Sequence, residues 1–303
     1  MSVSKEKYLI VCFEQTVPIT EEVLKKVADL IIKKYKGKFC TVYENENHEY
    51  VDYTLDEAIK RWSERCKKRD SFNLYLKFKI FDDLIKVWFV PDYIEKDKNW
   101  NSVSFITDGE IKSIKNQKLI INFVKDLYLL VHPSLVYSTY SILEDEDAGG
   151  AATVWNYILK HKRLPKNSDF DTKEPIQGWI IAAFNSPFYI FGPKFLEILP
   201  QEVKNAPALK KEVFDDEGIF FLLHFPLDKK KLTKAQKEKY KKYRDYLFYN
   251  LIVSALAENK EEFFKSLEEY EIYKKQRLKE LRKEAMKELL ELIELLKKEI
   301  LNE

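Results

Sequence analysis

The chain has 303 residues, of which 45% are apolar and 14% aromatic; this is enough to bury a substantial core and excludes intrinsic disorder. Its 52 Lys and Arg face 50 Asp and Glu, so the net charge is +2 and no global field draws it to nucleic acid or an anionic membrane; any such surface has to be local. Cys12, Cys40 and Cys66 are sparse and odd in number, and His48, His132, His161 and His224 are scattered without an HExxH pair, which excludes a disulfide framework and leaves neither metal nor cofactor expected.

Residues 8–13 are short, apolar and partly β-branched, the pattern of a buried strand. Charges and Pro18 bracket this run, so it does not read as a signal peptide, and the expected compartment is the cytoplasm. Thr20 is placed to cap a helix with Glu21 and Glu22 in its first turn and Val23, Leu24, Val27, Leu30 and Ile31 on its apolar face; Gly37 ends it. Residues 39–43 read as a second strand. Thr54 opens another helix, with Leu55, Ala58, Ile59 and Trp62 on one side and a basic far end. Residues 72–81 alternate, and residues 84–90 return across Asp82-Asp83 as a hairpin. Residues 103–106 and a segment near 111–114 flank a turn at Asp108-Gly109. A helix over 119–131 follows, which Pro133 prevents from continuing. Residues 137–143 are strand-like, and Gly149-Gly150 marks a flexible joint.

Residues 178–226 hold five of the ten prolines and three of the seven glycines, so the chain turns sharply there. The expected order is a buried strand over 178–184, an aromatic loop, a short helix, a turn and a second buried strand over 219–223. Residues 229–244 are strongly basic with Tyr240, Tyr243 and Tyr246 interleaved, and the helical pattern then runs to the end with Asn259 as an interruption or cap. From Leu278 the apolar positions Leu281, Ala285, Leu289, Leu292, Leu296 and Ile300 recur every ~3.67 residues, nearer an 11-residue period than a heptad. So wide a stripe has to be covered, with the chain's own body or a different protein expected ahead of a second copy. The fold class expected is α+β, with mixed or antiparallel sheets, packed helices and a long C-terminal amphipathic helix. A body over 1–228, divisible near 149–150, is followed by a helical region over 229–303. No stretch is long and apolar enough to span a bilayer.

Three constellations bear on chemistry. Asp92 after Pro91, with Glu110 and Lys112, matches the loose PD-(D/E)xK pattern, in which carboxylates hold a metal and a lysine assists the attacking water. Glu110, however, follows a turn rather than lying on a strand, so no catalytic residue is assigned and the chain is expected not to be an enzyme. Glu144, Asp145, Glu146 and Asp147 form an acidic turn, read either as a solvated surface or as a contact for a basic protein partner. Lys237, Lys241 and Arg244, with Arg61, Arg65 and Arg69 as a weaker patch, make a face that fits phosphates beside stacking tyrosines, or a solvated lysine face over buried tyrosines.

An ordered series through the middle of the chain carries a resemblance. It runs from His132-Pro133-Ser134-Leu135-Val136-Tyr137 through Gly178-Trp179, Phe191-Gly192-Pro193 and Asn205-Ala206-Pro207. It ends in Asp216-Glu217-Gly218, an apolar run, Pro226 and a tyrosine-rich helix. The series resembles the pattern of immunity proteins from type VI secretion and polymorphic toxin systems, over roughly residues 8–250. That resemblance implies an α+β protein that binds a toxin or effector stoichiometrically, without catalysis or cofactor. The alternatives are an accessory subunit of a nucleic-acid-guided defence complex, such as a partner of a short prokaryotic Argonaute-type effector, and a metal-dependent nuclease. The abundance of charge, Lys, Glu, Ile and Tyr, with little Gln, resembles hyperthermophile composition.

Overall fold

The computed structural model describes residues 7–44, 49–51, 53–68, 74–80, 85–93, 101–107, 111, 113–142, 146–172 and 175–301. Its strands are β1 (Lys7–Glu14), β2 (Lys38–Glu44), β3 (Glu49–Val51), β4 (Leu74–Ile80), β5 (Ile85–Tyr93), β6 (Asn101–Thr107), β7 (Leu135–Ile142), β8 (Phe188–Phe191), β9 (Lys210–Val213) and β10 (Ile219–Leu222). They form one sheet in the order β3-β2-β4-β5-β6-β1-β7-β8-β10-β9. All the described pairings are antiparallel. The helices are α1 (Glu21–Asp29), α2 (Leu55–Lys68), α3 (Ile114–Val131), α4 (Glu146–His161), α5 (Gln177–Ala183), α6 (Pro193–Leu196), α7 (Lys234–Arg244), α8 (Val253–Leu256) and α9 (Lys260–Leu301), with a π-helical stretch over Asp245–Ile252. The protein is α+β with a long C-terminal helix, as its sequence pattern predicts.

Alternation along the central strands feeds two cores, one on each face of the sheet. Val136 of β7, Phe188 and Ile190 of β8, and Phe220 and Leu222 of β10 point to a core shared with Leu24 and Val27 of α1 and with Ile120, Phe123, Val124 and Leu127 of α3. Their neighbours Leu135, Tyr137, Tyr189, Phe191, Ile219 and Phe221 enter a second core with Trp155 of α4 and Ile180 of α5. Covered on both sides, β8 and β10 are buried at every position, which is why they read as continuous apolar runs. Trp155 is the hub of the second core. The rings of Tyr137, Phe184, Tyr189, Phe195 and Phe248 surround it at centroid distances of 5.6–6.3 Å. Tyr240, Leu247, Phe248, Ile252, Val253 and Leu256 complete that core from the C-terminal side. Each such aromatic or aliphatic side chain contributes about 1.5–3 kcal/mol by leaving water.

Local signals set several boundaries as expected. The Thr20 hydroxyl caps α1 by accepting from the Val23 amide. The Asn259 side-chain oxygen accepts from the Glu262 amide and so starts α9. At α7 a reciprocal capping box of Thr233 and Gln236 sets a start that the expected elements did not include.

Other expectations are corrected. Residues 178–184, expected as a strand, lie largely in α5. Ile176, Ile180, Ala183 and Phe184 are buried at helical spacing, so an apolar run too short to show its period packs as one amphipathic face. Residues 188–191, expected as a loop, are β8. Gly149-Gly150 is no joint but lies inside α4. A Cβ on Gly150 would come within 2.4 Å of the Trp179 indole, so that glycine lets α5 pack closely on α4. The segment near 111–114, placed beside the turn without an assigned state, leads into α3, which starts earlier than the expected residue 119. Ile111 is buried, Ser113 caps α3, and the helix begins at Ile114. Strand β9 had no signal, being four largely exposed edge residues. The turns at Asp82-Asp83 and Asp108-Gly109 lie outside the described residues.

Three members of the motif series meet at one corner of the sheet. The Gly192 amide donates to the Ser134 carbonyl at 2.8 Å, and a Cβ on Gly192 would stand 2.2 Å from the Pro133 oxygen. The Tyr128 hydroxyl donates to Asp216 Oδ2 at 2.7 Å, and the Gly218 amide donates to Asp216 Oδ1 at 2.9 Å. These residues hold α3, β7, β8 and the β9–β10 turn together. Their roles are architectural.

Candidate binding surfaces

A groove of about 730 Å³ opens over α3. Its walls come from the C-terminal end of the first helical segment, from α3 and from β9, through Lys34, Lys36, Lys115, Lys125 and Lys210, with Asp126 and Glu212 as the carboxylates. Leu119, Leu129 and Phe214 add apolar surface, and Leu129 is 44% exposed. The groove's polar walls are held in place. Lys34 Nζ lies 2.7 Å from Asp126 Oδ2, and the Tyr35 hydroxyl donates to the same carboxylate. Burial, with that hydrogen bond second, raises the Tyr35 phenol pKa far above its ordinary value. Lys125 is nearly buried, 4.4 Å from the Phe220 ring centroid, and pairs with Glu212. The hydrogen bond from Lys125 is the main cause that lowers the Glu212 carboxyl pKa. Lys36 and Lys115 are exposed and form no ion pair among the described residues. The surface therefore carries excess positive charge beside apolar side chains.

The basic segment after Pro226 is placed differently from a stacking platform. Tyr240 is 2% exposed, its ring meets the His224 ring edge-on at 4.6 Å, and its hydroxyl donates to Asn185 Oδ1 at 3.3 Å. Arg244 turns inward, donating to Asp245 Oδ1 from Nε and Nη2 and to Asn185 Oδ1 from Nη1. Lys237 and Lys241 stay exposed. Lys229 Nζ lies 5.1 Å from the Tyr240 ring centroid. Partial burial lowers the Lys229 amine pKa, and the nearby charges of Arg244, Lys237 and Lys274 lower it further. Elements far apart in sequence thus converge into one positive field at this end of the body.

Of the second basic patch, Arg61 lies in α2 with its guanidinium 5.5 Å from the Tyr53 ring centroid, and Arg65 lies further along α2. Arg69 lies outside the described residues, as do Glu144 and Asp145; Glu146 and Asp147 form the first residues of α4. Asp92 is on β5, whereas Glu110 and Lys112 lie outside the described residues. Among the described residues no group of three or more His, Cys, Asp or Glu is placed to hold a metal ion, and no helix is long and apolar enough to cross a membrane.

The first turns of α9 pack on the body through Phe263, Phe264 and Tyr270, whose hydroxyl fills the space beside Gly178. Over residues 271–280 every residue is exposed, Ile272 at 57% and Leu278 at 48%, and Met286 beyond them is 57% exposed. The helix leaves the body as an arm.

No family model and no curated protein matches the sequence. Among solved structures the chain is similar to the T6SS protein PA0821 of Pseudomonas aeruginosa, with a TM-score of 0.38 and 9% identity, over 78% of this chain and 73% of that one. The two share a loose outline and no more.

Proposed function

We propose that this protein is a non-enzymatic binding protein of a prokaryotic conflict system, acting by stoichiometric occlusion of a protein partner. The observation that carries the binding role is the groove over α3. It is open, rimmed by lysines from separate elements and lined by the exposed Leu129 and the half-buried Leu119 and Phe214. Desolvated apolar anchors inside a charged rim are what a specific protein interface requires. The excess of lysine selects an acidic partner surface, and the affinity gained is electrostatic in on-rate and apolar in residence time. The assignment to a conflict system rests on the resemblance of the motif series.

A second reading, contact with nucleic acid through α7, is favoured by the exposure of Lys237 and Lys241 on the helix that carries Tyr240, against whose ring Lys229 lies. One experiment separates the two. The partner is retrieved by cross-linking from the native host, purified, and titrated against wild type, against Lys36→Glu with Lys115→Glu, and against Lys237→Ala with Lys241→Ala. A 1:1 complex weakened at least tenfold by the groove pair alone supports occlusion. Unchanged affinity in the groove pair refutes the groove as the site. Salt-dependent binding to single-stranded DNA or RNA that is lost with the α7 pair establishes the second reading instead.

A further inference from the structure

The arm of α9 has a charge pattern that the body does not. Residues 271–287 carry seven Lys and Arg against three Glu, a net of +4; residues 288–301, the rest of α9, carry four Glu against two Lys, a net of −2. The sign changes between Lys287 and Glu288. The apolar row crosses that boundary without interruption, from Leu278 to Ile300, and its centre falls at residue 289. Two independent features of the sequence thus share one centre to within two residues.

We propose that the arm pairs with the arm of a second copy of this chain, antiparallel, about a two-fold axis near residue 289. In that arrangement residues 277–287 of each arm, a net of +3, lie along residues 291–301 of the other, a net of −1, twice over, while a parallel pair would set +3 against +3. Opposite charges across a seam select orientation, and like charges exclude the wrong one. A two-fold contact is self-complementary, so one stripe that runs to both sides of residue 289 can serve both copies. The arm's length fits as well. With the axis at 289, residue 301 at the end of α9 in one copy lies across from residue 277 of the other, short of Tyr270, where the helix joins its body. Residue 289 is about 28 Å from Tyr270 at 1.5 Å per residue, so the two bodies stand at opposite ends of the paired arms and do not compete for the seam. Exposed Leu278, which belongs to the row, is then covered. A row spaced at ~3.67 residues drifts only ~20° per 11 residues, so the paired arms wind gently to the right instead of taking the left-handed supercoil a heptad imposes.

The test uses the full chain in light scattering coupled to gel filtration, at about 100 µM protein and low salt. Wild type is expected at twice 36.2 kDa. Lys279→Glu with Lys283→Glu and Lys287→Glu makes both halves acidic and weakens the dimer at least tenfold. Glu291→Lys with Glu294→Lys and Glu299→Lys makes both halves basic and does the same. All six together exchange the two halves and restore the dimer. Circular dichroism confirms that each variant keeps its helix. A wild-type mass of 36.2 kDa, or a six-fold variant that remains dissociated, overturns the proposal.

Discussion

Replacing Phe248 by Ala tests whether the segment after residue 228 folds as part of the body or beside it. Phe248 is fully buried in the π-helical stretch, stacks on Phe184 at 4.6 Å and 16°, and meets Tyr189 at 4.9 Å and Trp155 at 6.3 Å. Truncation removes the transfer free energy of the ring and leaves a cavity among aromatic rings that cannot collapse into it. Such Phe→Ala changes cost about 3–5 kcal/mol. For a domain above 150 residues, about 2–4 °C are lost per kcal/mol, so Tm falls by about 6–20 °C. Differential scanning calorimetry reads the shift, and Trp155, within ring contact of residue 248, reports the same event by fluorescence in urea. The packing requires one cooperative transition, displaced as a whole. Two separated transitions, with the fluorescence of the buried tryptophan unchanged across the first, would refute the reasoning and make residues 229–303 a unit of their own.

His224 titrates against stability. Burial holds its imidazole pKa at about 4, below the ordinary 6.5; its Nδ1–H donates to the Pro226 carbonyl, and Nε2 has no partner among the described residues. The unfolded chain binds the proton first, so stability is full above pH 6.5 and is lost as pH falls toward 4, by up to about 3 kcal/mol. His224→Phe, which keeps a ring against Tyr240, is expected to remove that part of the slope in urea midpoints taken at about pH 7 and about pH 4.5; an identical slope in both proteins contradicts it. Gly150→Ala is expected to lose about 1–2 kcal/mol, because steric overlap with Trp179 outweighs the ~1 kcal/mol gain in helix propensity. A stabilised variant in the same assay would mean that α4 and α5 are not in close contact.

What the sequence disclosed followed from the range of each signal. Thr20 and Asn259 act within three residues and are legible as caps. The apolar run over 219–222 is a strand, as its length and composition indicate. The equally apolar run over 178–184 is a helix, since a run of this length shows no period and its state is decided by Trp155 and Phe184 in the tertiary core. Gly150 looks like a hinge because sequence records the missing side chain but not the indole that occupies its place. The groove left no trace in the sequence, for Lys34, Lys115 and Lys210 are brought together only by the sheet order and each stands in an unremarkable local context. The basic helix was legible as basic, while the inward turn of Arg244 depends on Asn185, 59 positions away.

Burial on both faces has a consequence for how β8 and β10 find their alignment. In a half-buried strand, slipping by one residue throws the apolar set into water, and that penalty selects the pairing frame. Here a slip of β10 would merely exchange Phe220 for Phe221 between two equally apolar layers, so hydrophobic burial barely discriminates between frames. The frame has to be indexed from outside the strands. Gly192 against the Pro133 carbonyl and Gly218 beneath the Tyr128 hydroxyl are fixed marks that no shifted alignment satisfies. The short turn motifs are thus the reading frame of the sheet, and a methyl group at either glycine would be expected to yield not a weaker fold but a heterogeneous one.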